Sequence, residues 1–280
     1  MSETRSPLRE RLLHVPGQSL DETINRLWDD RGVMYAMAMA AFVCVALVDW
    51  YRWLTHVPLR PWVTTVWAAV VTAYSIRGLV RLRKQTKLLE QGRDGERAVA
   101  EVLEAVREQG GRVFHDIVGE GFNVDHVVLS TRGVFVIETK TLSKPRGGTI
   151  KVEGRQIIAG GANLGAKPIE QAETNARWVR DLLKQSTGKG YPVKPCLVFP
   201  SWFVESMPRE TAREVWVLNP KALAVFIENE PVCVRDEDLY LAAYHLSRYI
   251  RSPWAAEDGA FAKALMDERE RRQAHARTLL

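Results

Sequence analysis

An aspartate and a Glu-x-Lys triplet, separated by two short apolar runs and a turn, make up the stretch from Asn123 to Lys140. Asp125 opens the first run, and Glu138 and Lys140 close the second. The turn falls at Thr131–Gly133. Side chains alternate across a strand, so Val134, Val136, Glu138 and Lys140 share one face, while Phe135, Ile137 and Thr139 share the other. In the preceding run Asp125, Val127 and Leu129 share a face. Pairing around the turn brings Asp125 to the level of residues near Glu138. Two carboxylates held this close repel unless a proton or a cation lies between them. Mg²⁺ fits such a pair, because it is hard, takes oxygen ligands, and binds one or two carboxylates together with water and phosphate. Two carboxylates and one amine at a single spot are what is needed to hold a divalent cation beside a scissile phosphate.

Other elements must hold that spot. Gly92 to Gln109 is predicted as an amphipathic helix, with Val99, Val102, Leu103 and Val106 on one face and Gly110-Gly111 ending it. Strands are predicted at 112–117, 123–130 and 133–140, followed by a Pro/Gly loop from Lys144 to Gly148. Thr149–Val152 and Gln156–Ile158 read as a small hairpin turning at Glu153-Gly154. A helix is expected over Ala166 to Ser186, with Pro168 in its first turn. Val193 to Phe199 and Val215 to Leu218 read as strands, and Pro220 to Glu228, Asp236 to Ile250 and 255–279 as helices. The physics alone gives an α/β protein with a mixed sheet flanked by helices.

The ordered set of motifs resembles the PD-(D/E)XK nuclease superfamily, and within it the nuclease-related domain (NERD) family. Besides Glu138-Thr139-Lys140, Gly92-Arg93-Asp94-Gly95-Glu96 matches its Gly-x-x-Gly-Glu signature, and Val124-Asp125-His126 its apolar-Asp-His step. Pro168 to Asn175 matches its Pro-x-x-Gln-x-x-x-Asn helix start. The resemblance covers roughly residues 90–205 and implies a restriction-endonuclease-like fold. It implies that Asp125 and Glu138 are metal ligands, helped by the Thr139 backbone carbonyl. Lys140 would orient or deprotonate the attacking water, or stabilise charge on the phosphate. Glu96 would be an outer or second-metal ligand, and Gln171 a polar contact from the following helix. The implied cofactor is Mg²⁺, with Mn²⁺ as a substitute; the implied partner is nucleic acid, DNA before RNA.

Plainer readings stand beside these. Glu138 and Lys140 could be a surface ion pair worth under about 1 kcal/mol. Glu96 alone could serve only the dipole of a helix start. Gln171 and Asn175, one helical turn apart, could lie on a solvated face. His115 and His126 read as structural rather than as ligands or bases.

Two uncharged runs precede this region, Gly32 to Val48 and Pro61 to Ile76. As helices each would span about 25 Å, slightly short of a hydrocarbon core of about 30 Å. Trp50, Tyr51, Trp53, Trp62 and Tyr74 could extend them as an aromatic belt. Arg5, Arg9, Arg11, Arg26 and Arg31 precede the first run, and Arg77, Arg81, Arg83, Lys84 and Lys87 follow the second. Positive flanks favour the cytoplasmic side. The expectation is a two-pass transmembrane helical hairpin over residues 32–80, with both termini and the nuclease-like domain in the cytoplasm. Residues 1–31 form the N-terminal segment, 81–91 a basic linker, 92–228 the nuclease-like domain and 229–280 a C-terminal helical extension. The alternative is a buried helical hairpin in a soluble protein.

The 280 residues suffice for one globular domain plus the hairpin. A net charge of +5 suits nucleic acid or anionic lipid without choosing between them. Cys44, Cys196 and Cys233 are odd in number and widely spaced, which excludes a zinc or disulfide framework. The leading expectation is a membrane-anchored, metal-dependent nuclease, with Lys144-Pro145-Arg146 and Lys151 holding the phosphate backbone. The rivals are a non-catalytic nucleic-acid tether on the same fold, and a membrane scaffold whose C-terminal helices bind an unknown protein partner.

Overall fold

A computed structural model of the chain describes residues 15–55, 61–119, 121–145, 147–205 and 213–251. Of the sequence expectations, the helix over 255–279, the loop joining the two apolar runs at 56–60, Arg5, Arg9, Arg11 and Arg146 lie outside the described residues. The chain divides into two compact units. One takes Ser19–Arg93; the other takes the residues up to Gln18 and from Asp94 onward.

The first unit is helical. Helix α1 (Gln18–Leu27) runs through a π-helical turn, Trp28–Gly32, into α2 (Val33–Leu54). Helix α3 begins at Pro61 and continues to Glu108. Within this unit α2 and α3 pack antiparallel. Trp50 Nε1 donates to Thr65 Oγ1 at 3.1 Å, and the rings of Tyr35 and Tyr74 meet edge-on at 6.2 Å. Near the other end Arg93 pairs with Asp21 at 2.9 Å. The outer faces stay apolar and open, with Met34, Met37, Leu47, Trp67 and Val70 all exposed.

Among the described residues one helix, Gln18–Leu54, is long and apolar enough to cross a membrane. The second apolar run does not stand as a separate span of that kind. It forms the first part of α3, which runs on without a break through residues 81–91, where a linker was expected. The reason is plain in Arg81 to Gln91: it is charged, but its Leu, Arg, Lys and Gln residues are good helix formers and it contains no proline.

The second unit is built on a five-stranded mixed sheet. Its strands are β1 (Arg112–Gly119), β2 (Phe122–Ser130), β3 (Gly133–Thr139), β7 (Val193–Val198) and β9 (Trp216–Leu218), in that spatial order. The first three form an antiparallel meander; β3, β7 and β9 run parallel. A parallel pair needs a crossover. Between β3 and β7 the chain supplies three strands of a second, four-stranded sheet and helix α4 (Lys167–Thr187). That sheet orders β6 (Ala162–Gly165), β5 (Gln156–Ala159), β4 (Thr149–Glu153) and β8 (Phe203–Val204). Neither β6 nor β8 was expected, since two to four residues are too few to show a period.

Helices cover both faces of the main sheet. Val127, Leu129, Val134 and Val136 pack against Val179 and Leu183 of α4 and against Leu239, Leu246 and Ile250 of helix α6 (Asp236–Arg251). Val128, Phe135 and Ile137 pack on the other side against Val99, Leu103 and Val106 of α3 and Leu223 and Ile227 of helix α5 (Pro220–Asn229). Helix α6, which the sequence reading set apart as an extension, thus contributes to the same core as β2 and β3. Its apolar positions at helical spacing have that sheet face to bury against.

Candidate active site

The β2–β3 hairpin sets the geometry. Ser130 pairs with Gly133 across a two-residue turn, and the register runs out to His126 opposite Ile137. The next step would set Asp125 opposite Glu138. There the ladder stops, and Asp125 Oδ2 accepts the Thr139 backbone N–H at 2.6 Å. The Lys140 N–H on the far side bonds Val198 O at 2.9 Å, which fixes the end of β3 from β7. The expected meeting of Asp125 and Glu138 therefore comes from strand pairing plus a side chain that replaces a ladder bond.

Strict alternation does not survive at this spot. Val124 and Val127 both reach the core under α4 and α6, as do Phe114 and Ile117 of β1. The slip in β1 is at Asp116, which has φ +49 and lies level with Asp125 in the β1–β2 register. Its carboxylate is buried and accepts Asn123 Nδ2 at 3.0 Å. A left-handed aspartate costs roughly 1 kcal/mol or more. The irregularity sets Asp116 level with Asp125, where the β2–β3 ladder ends.

Glu138 is 3% exposed and fully engaged. Lys140 Nζ lies 2.7 Å from its Oε1, and Asn175 Nδ2 donates to its Oε2 at 2.8 Å. Lys140 also donates to Gln171 Oε1 at 2.9 Å. Gln171 and Asn175 stand one turn apart on α4, so one helix face grips both members of the Glu-x-Lys pair. Asn175 is 2% exposed, which removes the solvated-face reading for that residue. Its role was not read from the sequence, although the Gln-x-x-x-Asn spacing carried the signal.

Glu96 enters from α3. The preceding Gly95 lets the helix come close to the segment after Lys140: a Cβ at Gly95 would lie 1.8 Å from Thr141 Oγ1 and 3.0 Å from its Cβ. Gly95→Ala is expected to destabilise the protein by about 1–3 kcal/mol through overpacking. Thr141→Ala in the same chain should recover most of the loss, and thermal melting of the single and double variants checks this.

The electrostatics agree with a crowd of carboxylates. Burial, then Asp116 and Glu138, push the Glu96 carboxyl up to about 8, against weaker opposing effects of the Gly17 amide and Arg97. Asp125 keeps some contact with solvent, yet poor hydration first, and then Glu138 and Glu96, raise it well above the usual range. Glu138 is raised by burial, with Lys140 and Asn175 pulling the other way. One ammonium thus faces several acids that resist ionising together.

An oxygen-binding cation fits this donor set. It would relieve the repulsion, and the hydroxyls of Thr139 and Thr141, on either side of Lys140, are buried without a hydrogen-bond partner. Among the described residues no three His, Cys, Asp or Glu side chains converge tightly enough to hold an ion by themselves. Two carboxylates, as Asp125 and Glu138 would supply, with water completing the shell are how Mg²⁺ is usually held.

Residues 91–200 match the family model of the nuclease-related domain. This segment is a nuclease-related domain. No curated protein and no solved structure gives a significant match to the chain. The matched segment includes all five sequence-predicted site residues, Glu96, Asp125, Glu138, Lys140 and Gln171, together with Thr139 and Asn175.

Two other sequence candidates take different places in this nuclease-related domain. His115 and His126 meet through their Nδ1 atoms at 2.8 Å. Burial, and then Arg107, hold His115 down to about 4; burial, and then His115, hold His126 lower than usual. Both are neutral at pH 7, one donating and one accepting. The loop after Lys140 is pinned rather than open. Trp202 Nε1 donates to Leu142 O at 3.2 Å, and Lys144 Nζ donates to Ser201 O at 3.0 Å and lies 5.9 Å from the centre of the Trp202 ring. Lys151 lies 3.4 Å from Glu205. The basic residues expected to hold a phosphate backbone are thus partly engaged within the protein.

Proposed function

We propose that this chain is a membrane-anchored nuclease that hydrolyses phosphodiester bonds with Mg²⁺ or Mn²⁺, acting on DNA. The observation that carries the reading is the contact of Lys140 with Glu138 beside Asp125, held by Gln171 and Asn175. An ion pair with no chemical task would not need a buried asparagine, a half-buried glutamine and a second carboxylate opposite it.

In this reading Asp125, Glu138 and the Thr139 carbonyl bind the cation, and Glu96 acts through water or on a second ion. The cation, when bound, would polarise the phosphoryl oxygen and lower the pKa of a bound water. Asn175 fixes the carboxylate of Glu138, and Gln171 aims the ammonium of Lys140. Lys140 orients the attacking water and stabilises the charge that develops on the phosphate. Contacts of this kind to phosphate carry no base sequence, so cleavage is expected without a sequence preference. The Gln18–Leu54 helix, together with the apolar first part of α3, supplies the anchor. The positive flanks argue for a nuclease-related domain on the cytoplasmic side.

The lack of three convergent acidic or histidine side chains among the described residues favours a second reading, a non-catalytic tether that binds nucleic acid at the membrane. The full chain in detergent micelles should be incubated with linear, circular and single-stranded DNA and with RNA, in Mg²⁺ and in chelator. Cutting in Mg²⁺ and none in chelator is the expected result. Binding without cutting under every condition would leave the tether.

A further inference from the structure

Helix α3 changes character along one side. Val66, Val70, Arg77, Arg81 and Lys84 follow one another at steps of three, four or seven residues, so they line a single face, and all five are exposed. That face is apolar before Arg77 and basic from there on. Arg83 and Lys87, also exposed, flank it, and no acidic residue occurs between Arg77 and Leu89. The opposite face is taken up by packing: Ser75, Leu82 and Thr86 are buried. On that side a Cβ at Gly78 would lie 2.5 Å from the Tyr35 ring, and one at Gly32 would lie 3.6 Å from Leu82. The π-helical turn Trp28–Gly32, which meets Leu82 there, carries Arg31 but also Asp29 and Asp30. The unbalanced positive charge therefore belongs to α3. Among the described residues none of its five basic side chains from Arg77 to Lys87 takes an ion-pair or hydrogen-bond partner.

We propose that Arg77, Arg81 and Lys84, flanked by Arg83 and Lys87, bind the headgroups of anionic lipids in the bilayer that holds the apolar part of α3. The inference rests on the reading of that part, with α2, as a membrane anchor. Where a lipid-facing side turns from apolar to basic without leaving the surface, the change marks the edge of the hydrocarbon. From Arg77 to Lys87 the helix rises about 15 Å. The headgroup layer takes up about 5–8 Å of that, and the field of an anionic surface reaches about 8–10 Å further. The whole stripe thus stands among lipid phosphates or in their field. Orientation during insertion depends only on the number of Lys and Arg near a span; it does not require them on the side that faces lipid. A nucleic acid would have to reach that side past the headgroups, like charge against like. Each Lys or Arg at such a surface is worth about fivefold in affinity.

The test reconstitutes the full chain into phosphatidylcholine vesicles at low salt and compares its contact with spin-labelled phosphatidylglycerol and spin-labelled phosphatidylcholine. The parent should prefer phosphatidylglycerol by at least about fivefold. A chain with Arg77→Gln, Arg81→Gln and Lys84→Gln should lose most of that preference. Equal contact of the two lipids with the parent, or a preference that survives the three substitutions, would overturn the proposal. If the triple variant does not enter vesicles, Lys84→Gln alone decides: a preference lowered about twofold or more supports the stripe, and an unchanged one overturns it. A duplex oligonucleotide that binds the parent about tenfold more tightly than the triple variant, while the lipid preference stays unchanged, would assign the stripe to nucleic acid instead. An alkaline wash of the vesicles tests the anchor separately. A chain that washes off overturns the anchor, and the lipid contact with it; a chain that stays but shows no preference overturns the lipid contact alone.

Discussion

Lys140→Met should lower the single-turnover cleavage rate by about 10²–10³-fold, the usual cost of losing one preorganised donor to a developing charge. The change removes the ammonium and keeps most of the volume. The fold has little reason to suffer. Lys140 is partly exposed, with 29% of its side chain accessible, and the Lys140 backbone N–H to Val198 O does not depend on the side chain. Glu138 loses one partner but keeps Asn175. The melting temperature should therefore move by a few degrees at most, while substrate binding measured in Ca²⁺ stays within a few-fold. Stopped-time gel assays of the variant beside the parent check the rate. A variant that cuts within threefold of the parent would remove Lys140 from the chemistry and return the Glu-x-Lys pair to a structural ion pair.

Asp125→Asn should do the opposite to stability and activity. Asparagine keeps an oxygen for the Thr139 N–H and removes a carboxylate that is poorly hydrated and repelled by Glu138 and Glu96. Without divalent cation, at pH 8, the variant should be more stable than the parent by about 1–2 kcal/mol, as expected when an uncompensated charge is removed. The sign with pH follows from Glu96, whose carboxyl is raised from 4.5 to about 8 in the fold. A group raised in this way adds stability below its unfolded pKa and loses it as pH rises through the folded one. The cation-free parent should therefore lose stability between about pH 4.5 and 8, and the advantage of Asp125→Asn should be small at pH 5 and largest at pH 8. Adding Mg²⁺ should stabilise the parent and leave the variant unmoved. Melting curves at the two pH values, with and without Mg²⁺, give all four numbers. A variant less stable than the parent at pH 8 without cation would mean that Asp125 is held by attraction rather than repulsion.

The centre of the site was legible because a two-residue turn and a period of two leave little freedom. Once Ser130 and Gly133 pair, Asp125 and Glu138 must come level. The apolar runs that form β2, β3 and β7 were legible for the same reason. Gln171 came only from the resemblance, since nothing in its local sequence separates a helix face gripping Lys140 from a solvated one. Asp116 was not legible: it lies inside a run that reads as a regular strand, and nothing in that run marks its left-handed backbone. The basic linker expected at 81–91 is helical, part of α3, because its residues are good helix formers. The second apolar run was read as a span on its lack of charge, and it proved to be the start of that long helix.

In the proposed mechanism a cation held by Asp125 and Glu138 would touch the phosphate that is cut. The most direct measurement uses DNA oligonucleotides in which a sulfur of either configuration replaces one non-bridging phosphate oxygen. Their cleavage by the full chain is compared in Mg²⁺ and in Mn²⁺. Mg²⁺ is hard and should tolerate sulfur poorly, while Mn²⁺ accepts softer ligands. One configuration should be cut at least about tenfold more slowly than the normal substrate in Mg²⁺ and recover in Mn²⁺. Equal slowing in both cations, or no cation-dependent cutting of the normal substrate, would contradict it.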